Sequence, residues 1–154
     1  MTGYGVIDSD GVRSRHVASG CVRTTTGAEF TVRLGEIFHG IRSVLLLWQP
    51  QQVAVEQVFV AANPAAALKL GQARGAAISA AVTCDLQIFE VTPTEVKKGL
   101  VGTGRAEKQQ VQHMVGLLLG VRNKMTLDES DALAIALCHA HRQATRSRFE
   151  RGRA

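Results

Sequence analysis

Three carboxylates stand beside apolar sequence, in positions where a negative charge needs compensation. Glu56 lies inside the run VAVEQVFV, and Asp128 and Asp131 open the segment DESDALAIAL. A charge among buried apolar side chains is costly unless a cation or hydrogen-bond donors accompany it. The spacing of three places both aspartates on one face of a helix. Together the three residues could form an oxygen-rich site for a hard divalent cation such as Mg²⁺.

Each carboxylate also has an ordinary structural explanation. An ion pair with an arginine, or a position on an edge strand, would account for Glu56. Acidic residues in the first turn of a helix interact favourably with the helix dipole, so Asp128 and Asp131 could serve stability alone. If one metal site uses all three, Glu56 must converge in space with the two aspartates, although they are far apart in the sequence.

The chemistry that such a site would support is hydrolysis of a phosphodiester. Two metal ions about 4 Å apart can activate a water and stabilise the leaving oxygen. The sequence offers no competing Ser, His and Asp order and no P-loop, and Gly102-Thr103-Gly104 is too short to bind a nucleotide. His139 and His141 are two residues apart, so a helix would point them in different directions. Metal-dependent cleavage is therefore the chemistry that these residues favour.

The elements that must position the carboxylates are predicted to begin with short strands. Strand-like patterns at residues 4–7, 12–17 and 20–24 indicate an antiparallel meander, with Asp8 and Asp10 in its turn. The other predicted elements are a helix at 29–48, a strand at 53–60, a helix from Pro64 to about Val82, a strand at 86–91, and helices at 92–99, 105–119 and 126–146. This order indicates a mixed α/β fold.

The composition indicates one globular domain. The chain has 154 residues, of which 45% are hydrophobic and 20% are charged, which is enough for a proper core. No apolar run approaches the roughly 18 residues that cross a bilayer, and the start MTGYGVIDSDG is unlike a signal peptide. We therefore expect a cytoplasmic location and no membrane. Cys21, Cys84 and Cys138 are expected to be reduced and buried, without a disulfide or zinc.

The basic excess is concentrated near the C-terminus. The net charge is +5, and residues 142–154 contain five arginines and one glutamate. We therefore divide the chain into a domain at residues 1–141 and a basic tail at residues 142–154. Such a tail can bind phosphate, but many basic tails are only solvated. Net charge by itself supports nucleic-acid binding weakly.

Four segments resemble one known family. They are TGYGVI (residues 2–7), VAVEQVFVAANPAAALKLGQARGAA (53–77), VKKGLVGTGRAEKQQVQHMV (96–115) and DESDALAIALCH (128–139). In this order and spacing they are similar to the RuvC family of Holliday junction resolvases. The similarity covers residues 2 to about 141, and its most specific parts are EQVF followed by ALKLGQARG, and the DxxDALA segment.

The resemblance implies an RNase H-like fold, in which a mixed sheet is flanked by helices. It implies a homodimer that makes paired, metal-dependent nicks across a four-way DNA junction. It also implies Mg²⁺ as cofactor, with two ions per site and Mn²⁺ as a possible substitute, and a branch-migration helicase as partner.

The resemblance also assigns roles to particular residues. Glu56, Asp128 and Asp131 match three of the family's four acidic catalytic positions. Phe59 matches an aromatic residue that stacks on a base near the cleavage point, and Lys97 and Lys108 match basic residues that approach the DNA backbone. Lysines at these positions could equally be ordinary solvated side chains. Two further basic residues, Arg74 and Arg105, are expected to contact phosphate.

One departure from the family pattern puts the activity in doubt. The family begins with a strand of the type ILGIDPG whose aspartate is the fourth acidic ligand, whereas here TGYGVI matches the second strand. We therefore expect a sheet that lacks its first strand. The alternative to a resolvase is a protein that binds junctions with little or no cleavage. A second alternative is an RNase H-like nuclease that cuts RNA–DNA hybrids.

The helix predicted after Pro64 favours the resolvase over the second alternative. Its segment ALKLGQARG resembles the family's dimer element, and Gly71 and Gly75 lie four residues apart beside several alanines. Small residues at this spacing permit close helix contact, which could also occur within one chain. We expect a dimer through this helix, because paired nicks need paired sites.

Overall fold

Four strands and five helices make up the part of the chain that this computed structural model describes, which is residues 1–58, 63–121 and 123–151. The elements in chain order are β1 (Thr2–Ser9), β2 (Ser14–Val22), α1 (Phe30–Trp48), β3 (Gln52–Glu56), α2 (Pro64–Val82), β4 (Gln87–Val91), α3 (Pro93–Val101), α4 (Lys108–Leu119) and α5 (Leu127–Arg151). The order agrees with the predicted mixed α/β class. None of the helices described is long and apolar enough to span a bilayer.

The first sheet is an antiparallel hairpin of β1 and β2, in register from Thr2 opposite Val22 to Ser9 opposite Ser14. Its turn forms because the Asp10 carboxylate accepts hydrogen bonds from the next backbone amides, at 2.8 Å from Val12 and 2.7 Å from Arg13. Two strands were predicted where β2 runs unbroken, so that part of the meander was wrong.

Asp10 lies in the predicted turn, but Asp8 does not. Asp8 belongs to β1 and forms an ion pair of 2.9 Å with Arg15 on β2. The cross-strand pair is possible because the two residues face each other in the hairpin.

The second sheet pairs β3 with β4 in parallel, from Gln52 opposite Gln87 to Glu56 opposite Val91. Within the described ranges the two sheets are separate, so the expected mixed sheet is present as two pairs. β3 ends at Glu56, four residues before the predicted end, because the Glu56 carbonyl accepts a hydrogen bond of 2.8 Å from Arg74 Nε on α2. Residues 59–62 lie outside the described ranges.

Helix α5 packs directly on the backbone of β1. A side chain at Gly3 would overlap the carbonyl oxygen of Asp128, and one at Gly5 would lie 2.7 Å from Leu133. The order of these contacts shows that β1 runs in the same direction as α5. Glycine is required here because the strand and the helix approach too closely for a Cβ atom.

Strand β3 runs the opposite way along the same helix. Its first residue, Gln52, is hydrogen-bonded to His139 at 2.8 Å, whereas its last residue, Glu56, lies within electrostatic range of Asp131. Because β1 follows α5 and β3 opposes it, β1 and β3 are antiparallel to each other.

The core lies between β4 and the three C-terminal helices. Its fully buried apolar side chains include Val91 on β4, Val115 on α4, and Leu133 and Leu137 on α5. Helices α1 and α2 pack against each other. Of the cysteines, all free, only Cys138 is buried, and Cys21 and Cys84 are half-buried, so the expectation of burial is correct for one of the three.

The helix starts agree with the predicted caps, and several helix ends do not. Asn63 caps α2, and Thr92 and Glu95 form the predicted capping box of α3. Helix α3 continues two residues further, to Val101, and is followed by Gly102 in the left-handed conformation, and α4 begins three residues later than predicted. Helix α5 extends to Arg151, so most of the predicted tail is a continuation of this helix.

Candidate active site

Glu56, Asp128 and Asp131 line one cavity of about 950 Å³. The cavity lies between β1 and β3, with walls from α1, α2 and α5. The structure therefore places at one cavity the three carboxylates that the sequence analysis grouped. Among the residues that the structure describes, no three Asp, Glu, His or Cys side chains lie close enough together to hold one metal ion.

The two aspartates owe their positions to a reciprocal capping box. The Glu129 amide donates to Thr126 Oγ1 at 3.2 Å, and the Thr126 amide donates to Glu129 Oε2 at 2.8 Å. This fixes the first turn of α5, which carries Asp128, and Asp131 follows one turn later. Ser19 on β2 also donates to Glu129 at 3.4 Å, so the hairpin orients the same turn.

Glu56 is placed by the end of β3 and is exposed at the cavity mouth. The protein atoms around its carboxylate raise its pKa above the usual 4.5, and the negative charge of Asp131 raises it further. The positive charge of Lys108 acts in the opposite direction but is the weakest of the three influences. Negative charge is therefore incompletely compensated at this corner of the cavity.

Lys108 is the cation nearest to the aspartates in the described ion pairs. Its Nζ lies 3.8 Å from Asp131 Oδ2, and its side chain is 71% exposed. Long exposed pairs of this kind contribute little stability. The ammonium group is therefore free to exchange Asp131 for another anion, such as a phosphate.

A hard cation fits the chemistry of this corner. Carboxylate oxygens are the ligands that Mg²⁺ prefers, and a cation beside Glu56 would offset both the burial and the Asp131 charge that raise its pKa. Glu56 and Asp131 influence each other electrostatically, and Asp128 lines the same cavity. The three carboxylates thus line one cavity, but they do not form a compact metal-binding group in the described part of the chain.

The remaining predicted site residues are more dispersed. Arg74 is engaged within the chain, because its guanidinium donates to Glu90 at 2.7 Å as well as to the Glu56 carbonyl. Lys97 is half-buried on α3, and Arg105 is exposed just before α4. Phe59 lies outside the described residues.

The sequence analysis missed a polar cluster at the other end of β3. His139 is buried, bonds to Gln52 and packs on the Phe89 ring at a centroid distance of 4.4 Å. Burial and the positive charge of Arg142 lower the pKa of His139. Arg142, the first residue of the predicted tail, also pairs with Glu95 at 3.2 Å. No local sequence signal links Gln52 to His139, since 86 residues lie between them.

The raised pKa of Glu56 predicts a pH-dependent effect on stability. The folded chain binds the Glu56 proton more tightly than the unfolded chain does. Ionised Glu56 therefore lowers the free energy of unfolding at a pH above its pKa. This destabilisation disappears as the pH falls below about 4.5. We expect Glu56→Gln to raise the free energy of unfolding in metal-free buffer at neutral pH by up to about 1 kcal/mol. Urea unfolding at neutral and acidic pH measures this.

Glu129→Gln is the matched control, with the opposite sign. Hydrogen bonds with Thr126 lower the pKa of Glu129. The charge of Glu129 therefore adds stability that is present above about pH 4.5 and is lost as the pH falls through the lowered pKa. Glu129→Gln should therefore destabilise at neutral pH. A loss of stability in Glu56→Gln at neutral pH would contradict the environment assigned to Glu56.

Comparison with known protein families gives a match over nearly the whole chain. Residues 1–139 match the family described as Crossover junction endodeoxyribonuclease RuvC. A protein of that name from Aromatoleum aromaticum is 52% identical over 141 residues, which cover 92% of this chain and 76% of the relative. One from Citrifermentans bemidjiense is 48% identical over 149 residues, covering 97% of this chain and 91% of the relative.

Solved structures agree with the sequence match. The structure of T. thermophilus RuvC in complex with a Holliday junction substrate superposes with a TM-score of 0.86 at 33% identity, covering 93% of this chain and 88% of that chain. Another structure of Thermus thermophilus RuvC gives a TM-score of 0.83. The predicted fold class is thereby confirmed.

Proposed function

The chain belongs to the RuvC family of crossover junction endodeoxyribonucleases, which have an RNase H-like fold, and on this premise we propose that it resolves four-way DNA junctions by paired nicks. The observation that carries the proposal is that Glu56, Asp128 and Asp131 all line one cavity. The DNA would lie across the cavity mouth, where Glu56 is exposed. The same proposal includes a cytoplasmic location for the protein and a branch-migration helicase as its partner.

In this proposal the three carboxylates hold Mg²⁺, as two ions, with Mn²⁺ as a substitute. When bound, the ions supply an activated water and stabilise the leaving oxygen. The part of the chain itself is to place the oxygen ligands. The capping box fixes the first turn of α5, and Arg74 fixes the end of β3 through the Glu56 carbonyl. The Lys108 ammonium group leaves Asp131 and forms an ion pair with a phosphate of the bound strand.

A nicking assay on a synthetic four-way junction tests the proposal. We expect symmetric nicks in Mg²⁺ or Mn²⁺, none in EDTA, and little cutting of a linear duplex with the same sequence. Parallel reactions with an RNA–DNA hybrid distinguish a junction resolvase from a nuclease that cuts hybrids. Preferential cutting of the hybrid would contradict the proposal in favour of a hybrid-specific nuclease.

A junction-binding protein with weak cleavage is the second candidate. It is favoured by the spacing of the carboxylates, since the described residues include no compact group of three metal ligands. Binding needs only phosphate contacts, whereas cleavage needs closely placed ions. Junction binding by the 154-residue chain without metal-dependent nicking would support this candidate.

Lys108 provides a test of the DNA surface. Each phosphate contact releases counterions, so Lys108→Ala should reduce the slope of log K against log salt by about 0.9 for junction DNA. Fluorescence anisotropy in EDTA at several salt concentrations measures the slope. Arg13→Ala is the control, because Arg13 is exposed at the hairpin turn, away from the aspartates. Gly11 in the same turn lies against Ala144, toward the end of α5 opposite to Asp128. An unchanged slope would remove Lys108 from the interface.

Helix α2 is the proposed dimer surface. Leu68 on α2 is 66% exposed, and a Cβ atom at Gly71 or Gly75, which lie on the same side of the helix as Leu68, would meet nothing within 4 Å in the described chain. An apolar face with small residues that is not covered within the chain suits close contact between two copies.

We expect Leu68→Lys to convert a dimer into a monomer in analytical ultracentrifugation at tens of micromolar. Burying two lysines at a two-fold interface is costly because each charge loses water without gaining a partner. Leu117→Lys is the matched control, since Leu117 is 64% exposed on α4 and should leave the dimer intact. A wild-type monomer at this concentration would contradict the assignment of α2.

A further inference from the structure

Glu90 on β4 is an acidic residue outside the cavity whose carboxylate uses both of its oxygens. Its Oε1 accepts a hydrogen bond of 2.7 Å from Arg74 on α2, and its Oε2 accepts one of 3.1 Å from Gln57. The hydrogen bond from Arg74, followed by that from Gln57, lowers the pKa of Glu90 below its usual 4.5. Glu90 is therefore charged at neutral pH and is bonded to the segment that carries Glu56.

Both partners of this carboxylate hold the end of β3. Arg74 also donates from Nε to the Glu56 carbonyl at 2.8 Å, and the backbone amide of Gln57 donates to the Val91 carbonyl at 2.9 Å. One guanidinium can bind a carbonyl and a carboxylate together because its donors form a rigid fork. Glu90 thus acts on the Glu56 carbonyl through Arg74 and on the following residue directly.

Glu90 is in turn held from the side of α5, the helix that carries the two aspartates. Its backbone carbonyl accepts a hydrogen bond of 3.3 Å from Arg142 on that helix. In the parallel register Glu90 lies opposite Val55, so these two side chains share one face and Glu56 points to the other. Glu90 can therefore support β3 without bringing its own charge to the face on which Glu56 lies.

The ion pair between Arg74 and Glu90 belongs to a network. Exposed pairs usually contribute little stability unless they are part of one, and the Glu90 side chain is 47% exposed. Arg74 is only 23% exposed, and both residues make further hydrogen bonds. These bonds occupy Nε and Nη2 of Arg74, so fewer of its donors are left for a phosphate.

We propose that Glu90 is a positioning residue for Glu56. Acting through Arg74 and Gln57, its carboxylate fixes the backbone at the end of β3 and so keeps the Glu56 side chain at the cavity. Arg74 then serves this network and not a DNA phosphate, in contrast to the expectation from the sequence. The inference rests on the proposed function for the role of Glu56 as a metal ligand.

Glu90→Gln keeps the size of the side chain and removes its charge, so the end of β3 should open more often. We expect the backbone amide of Gln57 to exchange its hydrogen at least about tenfold faster, as measured by NMR in EDTA. The amides of Leu133 and Leu137, in the core, report global unfolding and should change much less. Equal acceleration of Gln57 and the core amides would overturn the proposal, because Glu90 would then contribute only to global stability.

Arg74→Gln should accelerate exchange of the Gln57 amide in the same way. The double variant with Glu90→Gln should exceed neither single variant by much, because both substitutions break one network. Asp85→Asn is the matched control, since it removes an exposed carboxylate from the turn after α2 and should leave this exchange unchanged. Additive effects of the two substitutions on Gln57 would contradict action through Arg74.

The salt dependence of junction binding in EDTA tests whether Arg74 is withheld from DNA. Arg74→Gln and Glu90→Gln should both leave the slope of log K against log salt unchanged. If Arg74 contacted a phosphate, Arg74→Gln would reduce the slope by about 0.9. If Glu90 alone kept Arg74 from a phosphate, Glu90→Gln would make the slope steeper. Either change would overturn the proposal.

Binding of Mn²⁺ to the metal-free chain, followed by electron paramagnetic resonance, links the network to the metal. Glu90→Gln should weaken Mn²⁺ binding at least about tenfold, as expected when a residue that supports a ligand is lost, and Asp85→Asn should change it little. Equal Mn²⁺ affinity in the wild-type chain and Glu90→Gln would overturn the proposal. A wild-type chain that binds no Mn²⁺ would contradict the proposed function, and the exchange of Gln57 would still decide whether Glu90 positions Glu56.

Discussion

An added β-strand that carries an aspartate, placed ahead of Thr2, should raise magnesium-dependent nicking of a four-way junction by at least about a hundredfold over the 154-residue chain. Three carboxylates line the cavity without forming a compact metal-binding group in the described residues. Misplacing reacting groups by about 1 Å can cost around a hundredfold in rate. A fourth carboxylate between β1 and β3 would complete the set of ligands for the two proposed metal ions.

The geometry fixes where this aspartate must stand. A strand joined to Thr2 by a hairpin turn is antiparallel to β1, so its last residues lie beside Gly3, which touches Asp128. The aspartate therefore belongs at the C-terminal end of the added strand. Single-turnover cleavage of a labelled junction measures the rate.

The matched control is the same strand with asparagine in place of the aspartate. It should lie between β1 and β3 and raise the melting temperature to the same extent, because the backbone pairing is unchanged, but it should not restore nicking. Equal nicking by the original and extended chains would mean that another residue supplies the fourth ligand. Asp8 and Asp10 are then the first to test, although Asp8 pairs with Arg15 and Asp10 binds the turn amides.

Asp131→Asn should reduce nicking by the strand-extended chain by at least about a hundredfold, as expected for loss of a metal ligand. The same substitution removes a negative charge near the DNA, so junction binding in EDTA should be equal or tighter. Cleavage rates across a magnesium titration, with anisotropy for binding, separate the two effects. We expect Glu56→Gln and Asp128→Asn to behave in the same way.

Asp85→Asn is the control for these substitutions. Asp85 is exposed in the turn after α2, and its φ of 55° is one that asparagine tolerates. It should change neither nicking nor binding. Retention of full magnesium-dependent activity in Asp131→Asn would remove Asp131 from the site and leave its pair with Lys108 as a structural contact.

Helix starts and the order of elements could be predicted because their signals are local. Asn63 before Pro64, and the capping boxes at Thr92 and Thr126, each use side chains within three residues of the helix start. The end of β3 could not be predicted in this way. It depends on Arg74, which reaches back across 18 residues to the Glu56 carbonyl, and nothing in the apolar run shows that the strand stops there.

The candidate site was predictable in its residue types and less so in its geometry. Charges beside apolar runs identified Glu56, Asp128 and Asp131, and the family resemblance grouped them. The structure adds the raised pKa of Glu56 and the contact of Lys108 with Asp131. Neither follows from a sequence pattern, because both depend on how β3, α4 and α5 meet. The functional roles of all the predicted site residues stay predictions, including those of Phe59, Lys97 and Arg105.

In the described chain β1 and β3 each have one edge without a strand partner, and both strands line the cavity, which has a consequence for aggregation. Exposed edges usually let one folded molecule add its sheet to another, but here both strands line a cavity with walls from α1, α2 and α5, and an intact sheet is too wide to enter it. A loose strand from an unfolded chain is not too wide. Aggregation should therefore require unfolded molecules as well as folded ones, and turbidity should increase most steeply near the midpoint of thermal unfolding, where both are present.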